Sequence, residues 1–522
     1  MGQKIAQSVY DFRIMREKGY RYVDKTDLLY PLIMRDGDAF YFISRPRRFG
    51  KSLMLSTLEC LFRGRRDLFQ GLAIDTLDYD WAEYPILHFN FATMNVETLE
   101  EFKAGFVARV QRSFKEAGVD YDPMLAPNDN FANAIQTLAR DWGKPVVILI
   151  DEYDAPVSAS LNDIEKATAI RATLSSFYGE IKNNASDIRF MMMTGVTRFT
   201  QLSVFSALNN LNDLTMDSRY ATLLGYTEEE LDANFGEDLR EHAQVMGLPY
   251  EDYRAELRRW YNGYRFARSS AVRVYNPVSI AKTLGAKEPT FAPTWVRTGA
   301  PSALINYLSD HELTEMDYDS VENISEEALD ICRLEAITPV AMLYQSGYLT
   351  IKDYSEWGFT LGVPNEEVRR GLASLLAQYA TKDFAVDYHG SLCMFLGKCN
   401  FQGFFAKLKA LYAHLTYGST EARVHESGYQ RPLYALLASH PALRVIAEDT
   451  QAQGRADLVV ESAERVFIFE LKVDKTAQEA IAQIRERGYA EPYRALGKPI
   501  YLIGLAFKSE THSLSDALVE EA

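Results

Sequence analysis

Residues 44–52 read SRPRRFGKS. The end of this stretch, Gly50-Lys51-Ser52, is the closing part of a phosphate-binding loop. In such a loop a tight turn lets backbone N–H groups converge on phosphate oxygens. The full pattern G-x-x-x-x-G-K-[ST] puts a glycine five residues before Gly50, and Arg45 stands there instead. The tripeptide alone decides little, so the flanks matter. The apolar run AFYFIS (39–44) precedes the loop, and LMLSTLECLF (53–62), with helical spacing, follows it. Strand, turn and helix is the setting a phosphate loop requires.

A second stretch supports the first. VVILIDEYDAPV (146–157) is an apolar run ending in Asp151-Glu152, the shape of a Walker B strand. On this reading Lys51 reaches the β- and γ-phosphates of ATP, and Ser52 and Asp151 hold Mg²⁺. Glu152 orients or deprotonates the attacking water. Arg47, Arg48, Phe49 and Gly50 complete the cofactor-binding loop. A third run, IRFMMMTGVTRF (188–199), ends in Thr194, placed to sense the γ-phosphate, with Arg198 just beyond. Arg198 can stabilise transition-state charge, act across an interface in a homo-oligomer, or form an ordinary ion pair.

The 522 residues are too many for one core. Apolar runs alternating with helical patterns from 39 to 212, including ILHFNFA (86–92), predict a buried, mostly parallel sheet. A mainly helical region follows, then a small α/β region. The expected domains are 1–213, 214–400 and 401–522. No apolar run approaches the about 20 residues needed to cross a membrane. The four cysteines form no CxxC pair, which fits a reducing cytoplasm. His389, Cys393 and Cys399 have no apparent fourth ligand, so ordinary packing is expected there. The net charge of −16 argues against a protein that coats DNA non-specifically, so any DNA contact must be local. One basic stretch stands out: Arg45, Arg47, Arg48, Lys51, Arg63, Arg65 and Arg66 against Glu59 alone. It reads either as an anion-binding patch or as a solvated face.

Near the C-terminus, RADLVV and VFIFELKV are strand-like runs joined by a polar turn. A hairpin centred between Ala463 and Glu464 puts Asp457 opposite Glu470, with Lys472 on the same face as Glu470. Two facing carboxylates repel, and a divalent cation relieves the repulsion.

Several motifs carry a resemblance. YVDKTDLLYPLI (22–33), SRPRRFGKS, IDEYDAPV, GVTRF, FSALNNLNDLT (205–215), LLGYTEEEL (223–231), WYNGYRF (260–266) and VYNPVSI (274–280) are similar to bacterial AAA-ATPase-like proteins. These are P-loop ATPases often fused to a nuclease-like domain. The resemblance implies an α/β chain in three parts. They are a P-loop NTPase with helices on both faces of its parallel sheet, a helical middle or lid region, and a restriction-endonuclease-like domain. It also implies that a loop without its first glycine is the family's own form. The Asp457…Glu470-x-Lys472 arrangement resembles the PD-(D/E)XK nucleases. That resemblance assigns Asp457 and Glu470 to Mg²⁺, with Mn²⁺ as a substitute, and Lys472 to the attacking water or the developing phosphate charge. Glu426 matches the upstream glutamate that completes the metal site, and Gln483 an accessory position, with Tyr489 weaker. The tyrosines and tryptophan of WYNGYRF and VYNPVSI are expected to pack a domain junction. Asp24-Lys25-Thr26 can border a base pocket. The expected function is an ATPase coupled to a metal-dependent nuclease acting on DNA. The alternative is a nucleotide-regulated switch whose nuclease-like part recognises a partner without cutting.

Overall fold

The computed structural model describes residues 4–34, 40–94, 96–198, 211–286, 288–295, 318, 320–330, 334, 337–381, 385–414, 426–438, 440, 442–451 and 454–522. Part of the FSALNNLNDLT motif, residues 205–210, and Cys332 lie outside them, as does the side chain of His389.

The five N-terminal strands are β1 (Phe40–Ser44), β2 (Ile86–Asn90), β3 (Val146–Asp151), β4 (Ile188–Gly195) and β5 (Asn212–Asp213). They form one sheet in the order β2-β3-β4-β1-β5, and every pairing is parallel. β1 and β3 are buried at every position, which is why both read as unbroken apolar runs rather than alternating ones. Strand β4 lies between β1 and β3, so the end of β4 stands between the phosphate loop and Asp151. Helices Lys51–Phe62, Leu99–Ala117, Pro127–Trp142 and Ile164–Asn183 pack on this sheet. Phe131 and Phe177 stack at 4.3 Å, with Phe89 set edge-on against both.

After β5 come helices Glu228–Val245, Tyr250–Tyr261 and Pro277–Leu284. Leu231, Phe235, Tyr253, Trp260 and Ile280 gather there with Val23 in one core. Strands β6 (Val321–Ile324), β7 (Thr350–Ser355) and β8 (Gly358–Gly362) add a small antiparallel sheet. WYNGYRF is structural at several points. Tyr264 and Phe266 are buried, and a Cβ on Gly263 would meet the carbonyl oxygen of Pro364 at 2.1 Å.

The described residues fall into two compact units, one ending at Glu366 and the other running from Glu367 to Ala522. The described residues between 214 and 366 thus cluster with the N-terminal sheet. The helices after Glu367 turn their apolar faces to the C-terminal sheet: Leu392, Phe404 and Leu408 share a core with Val460, Phe467 and Phe469.

That second sheet contains β9 (Arg444–Gln451), β10 (Gly454–Glu461), β11 (Val466–Val473), β12 (Ile500–Lys508) and β13 (Ser513–Glu521). Its order is β13-β12-β11-β10-β9, antiparallel except for β11 with β12. Ile481 and Ile484 of helix Ala477–Glu486 pack with Val459 and Ile468, while Leu458, Phe467 and Phe469 belong to the core beneath helices Phe401–His414 and Ser427–Ala438. Helix Ser427–Ala438 forms although Gly428 and Pro432 oppose it. Burial of Leu433, Leu436 and Leu437 outweighs the hydrogen bond that Pro432 cannot make. Among the described residues, no helix is long and apolar enough to cross a membrane.

Candidate functional site

The phosphate loop turns at two left-handed residues, Arg48 (φ 71°) and Gly50 (φ 99°), before helix Lys51–Phe62 begins. Arg45 is not among the positive-φ residues, so its backbone does not call for glycine. Its side chain runs inward and is 1% exposed. The guanidinium donates to the carbonyls of Ser44 (2.9 Å), Thr215 (2.8 Å) and Tyr220 (3.4 Å), and lies over the Phe266 ring at 4.1 Å. Burial pulls its pKa down to about 10.

Lys51 is buried, and its ammonium donates to the carbonyls of Arg45 (2.9 Å) and Pro46 (3.3 Å). It lies 3.9 Å from Glu152. Asp151, at the end of β3, is gripped at both oxygens. Thr194 Oγ1 donates to Oδ1 at 2.7 Å, and Ser52 Oγ donates to Oδ2 at 2.6 Å. The sheet order explains this convergence, because β4 carries Thr194 alongside β3. Hard oxygen donors this close suit a hard divalent cation. Glu152 has φ 54°, an unfavourable conformation for a non-glycine residue and one that recurs at functional positions. Burial raises the pKa of its carboxyl against the opposing pull of Lys51.

In the second unit, β10 and β11 pair as Leu458↔Phe469, Val459↔Ile468, Val460↔Phe467 and Glu461↔Val466. This is the expected register, and one step further puts Asp457 across from Glu470. Asp457 Oδ2 accepts from the Leu471 N–H at 2.7 Å. Burial, and then the neighbouring Glu470 charge, push the Asp457 pKa up to about 7. Glu470 is 1% exposed and its pKa is also raised, by burial first. Its Oε1 accepts from Lys472 at 3.0 Å and from Gln483, while its Oε2 is buried without a hydrogen-bond partner. Lys472 also reaches Glu426 at 3.2 Å. Burial pulls the Lys472 pKa down, but Glu470, Glu426 and Asp457 together carry it above its ordinary value.

Glu426 and Glu470 therefore meet at the Lys472 ammonium. Among the described residues, no three His, Cys, Asp or Glu side chains gather as a metal cluster. The pair Asp457 and Glu470, with one orphaned buried oxygen, is the part of the expected ligand set that suits a divalent cation. Tyr489 is buried, with its hydroxyl 2.9 Å from where a Cβ on Gly454 would stand.

Two family models match stretches that contain the two sites. A family model described as "AAA-ATPase_like: Predicted AAA-ATPase" matches residues 7–205, and one described as "PD-(D/E)XK nuclease superfamily" matches residues 424–516. The "Uncharacterized protein in vnfD 5'region" of Azotobacter chroococcum mcd 1 is 33% identical over 531 residues, covering 99% of both chains.

The chain belongs to the AAA-ATPase-like family.

Two further placements in this family member were not foreseen from its sequence. Asn90 ends β2 beside Asp151, with Nδ2 3.3 Å from Asp151 Oδ2. Its own Oδ1 accepts from Ala92 N–H at 2.9 Å, which fixes the amide's orientation. The signal was available, because Asn90 is the polar end of an otherwise mainly apolar strand. Asp154 is buried and accepts from the N–H groups of Val196 and Thr197, tying IDEYD to GVTRF. Gly195 makes room for this, since a Cβ there would lie 2.5 Å from Asp154 Oδ1.

The basic stretch, read from the sequence as an anion-binding patch or a solvated face, is mostly neutralised within the chain. Arg63 pairs with Glu59, Arg65 with Asp67, and Arg66 with Asp75. Arg47 is exposed, and its charge acts on Glu152. Arg48 donates to the Trp295 carbonyl at 3.4 Å. Phe49 is a core anchor, edge-on to Tyr264 (4.8 Å) and Phe266 (5.2 Å). Arg198 bridges Asp213 (2.7 Å) and Asp330 (2.9 Å), an ion pair inside the first unit.

Proposed function

We propose that this protein hydrolyses ATP at the phosphate loop and couples that turnover to metal-dependent cleavage of DNA by its C-terminal unit. The observation that carries the ATPase reading is Asp151, held at both oxygens by Ser52 and Thr194, with Lys51 beside Glu152.

Lys51 exchanges the carbonyls of Arg45 and Pro46 for the β- and γ-phosphate oxygens. Backbone N–H groups of the loop and of the first turn of helix Lys51–Phe62 share the remaining charge. Glu152, its pKa raised by burial, takes a proton from the water that attacks the γ-phosphorus. The bond from that phosphorus to the β-phosphate oxygen breaks, giving ADP and phosphate. Thr194 and Asn90 fix the Asp151 carboxylate, and Thr194 senses the γ-phosphate. Ser52 and Asp151 would hold Mg²⁺, which neutralises phosphate charge when bound.

In the C-terminal unit, Asp457 and Glu470 would hold Mg²⁺ or Mn²⁺, with Glu426 completing the site. A cation held by these residues would supply charge stabilisation for the phosphodiester. Lys472 orients the attacking water, and Gln483 steadies Glu470. We assign residues 1–213 to the ATPase, 214–400 to its helical lid region and 401–522 to the nuclease-like domain, acting in the cytoplasm. Arg47, exposed beside the phosphates, is the loop arginine free to contact a second subunit or DNA.

The second reading is a nucleotide-controlled switch in which the nuclease-like unit binds without cutting. The sharing of the Lys472 ammonium between Glu426 and Glu470 supports it. The test is cleavage of single- and double-stranded DNA with Mg²⁺ or Mn²⁺, with and without ATP. Cleavage lost in Lys472→Ala supports the first reading. DNA binding without cleavage in the wild type supports the second.

A further inference from the structure

Helix Ser427–Ala438 packs by an apolar face on which Tyr429, Leu433, Leu436 and Leu437 are buried. Tyr429 stacks on Phe507 at 4.2 Å, and its carbonyl accepts from the Tyr412 hydroxyl at 2.5 Å. Gln430 departs from this pattern. It carries an amide yet is 7% exposed, and a buried amide is costly unless it is hydrogen-bonded. Its Nε2 donates to the main-chain carbonyl of Asp457 at 2.6 Å.

Asp457 stands one step beyond the Leu458↔Phe469 pair of β10 and β11. Its Oδ2 accepts from the Leu471 N–H, and Gln430 takes its carbonyl. Gln430 is also tied at its main chain, where its N–H donates to the Glu426 carbonyl at 3.1 Å. One helical turn separates these two residues, so their side chains leave the same face. Glu426 reaches the Lys472 ammonium from there with 41% of its side chain exposed, while Gln430 reaches Asp457.

We propose that Gln430 is a positioning residue for the hairpin site: it braces the helix against β10 so that Glu426 is held within reach of a cation bound by Asp457 and Glu470. The inference rests on the metal-dependent nuclease reading above. Asp457 and Glu470 are spaced by the β10–β11 ladder. Glu426 comes from a separate element, and apolar packing sets the distance of a helix from a sheet without fixing its register, because it is non-directional. A hydrogen bond is directional. Gln430 supplies one at Asp457 itself, a single turn from Glu426.

The test is Mn²⁺ binding to the full chain without nucleotide, read by calorimetry. The binding that Glu470→Gln removes belongs to this site. Gln430→Met has a similar length but no donor, and Gln430→Asn withdraws the amide by one methylene. Both should weaken that binding by about 10–100-fold. Glu426→Gln should weaken it as well, and adding Gln430→Met to Glu426→Gln should cost less than about twofold more, because the brace acts through Glu426. Leu433→Ala loosens the same helix without touching Asp457, so it should lower the melting temperature and leave Mn²⁺ affinity within about twofold. Wild-type affinity in folded Gln430→Met overturns the proposal and leaves Gln430 as a partner for a buried carbonyl only. If Gln430→Met does not fold, Gln430→Asn decides by the same criterion. Fully additive losses in Glu426→Gln and Gln430→Met overturn the path through Glu426. A loss in Leu433→Ala equal to that in Gln430→Met assigns the effect to helix packing and overturns the brace. Wild-type Mn²⁺ binding that is absent, or that Glu470→Gln leaves untouched, defeats the underlying metal-site reading instead.

Discussion

The two candidate sites are built with opposite electrostatic demands. In the phosphate loop, the Lys51 cation donates to two main-chain carbonyls and lies 3.9 Å from the Glu152 carboxylate, while Asp151 has both oxygens occupied. The carbonyls are neutral acceptors that a phosphate, carrying full charge, can outcompete. In the hairpin site the surplus is negative. Asp457 and Glu470 face each other, Lys472 is shared with Glu426, and Glu470 Oε2 has no partner. One site is arranged to receive an anion, the other a cation. The contrast shows that similar inventories, a lysine with two or three carboxylates, can be poised for different ligands by which atoms are left unmatched.

The sharpest break of this contrast is at Lys51. Lys51→Ala should lower ATP turnover by at least about 10³-fold and abolish ATP binding by calorimetry. DNA cutting measured without ATP should not change, since the cation-seeking site is elsewhere. Glu152→Gln should separate binding from chemistry, keeping ATP affinity while losing about 10²–10³-fold in turnover. Normal turnover in this variant would remove Glu152 as the base. In the other site, Lys472→Ala should abolish metal-dependent DNA cleavage and leave ATPase activity within about twofold. Unchanged cutting would assign the cleavage to another protein or another site.

A smaller effect is expected at Arg45. Arg45→Ala leaves the carbonyls of Ser44 and Thr215 without this donor and opens a cavity, costing about 2–4 kcal/mol in chemical denaturation. Stability equal to wild type would show that the loop does not depend on this anchor. The smallest effect is a pH dependence. The Asp457 pKa, raised to about 7, means that its carboxyl is largely neutral below that pH and largely charged above it. A cation needs the charged form, so Mn²⁺ affinity should rise as pH goes from about 6 to 8, by at most about tenfold per unit. Asp457→Asn should flatten that rise. A profile that falls with pH would contradict the pairing of carboxylate and cation.

Much of the architecture was legible in the sequence because it depends on local pattern. Continuous apolar runs gave the buried strands of the first sheet, and the turn around Ser462–Arg465 gave the hairpin register to the residue. Other features depended on distant partners. A cationic Arg45 reads as a surface residue until Thr215, Tyr220 and Phe266 fold around it. Arg65 and Arg66 formed an apparent basic patch only because Asp67 and Asp75 lie beyond the stretch considered. Thr194 was expected near the phosphates, but no local signal shows β4 entering between β1 and β3. That the described residues after Glu367 group with the C-terminal sheet follows from helices leaning on a sheet that comes later in the chain.

The inward Arg45 also orders events during synthesis. Two of its carbonyl partners lie 170 and 175 residues downstream, and the aromatic ring beneath it is further still. At about 5–20 residues per second, the loop sequence leaves the ribosome roughly ten to forty seconds before the residues that anchor it. Until then the arginine has no interior to enter, and Lys51 lacks the fixed carbonyl of Arg45. Nucleotide therefore cannot guide the early folding of its own binding loop. The site closes only after the region following β5 has been made, so a chain truncated before Thr215 carries the phosphate-loop sequence without its anchor.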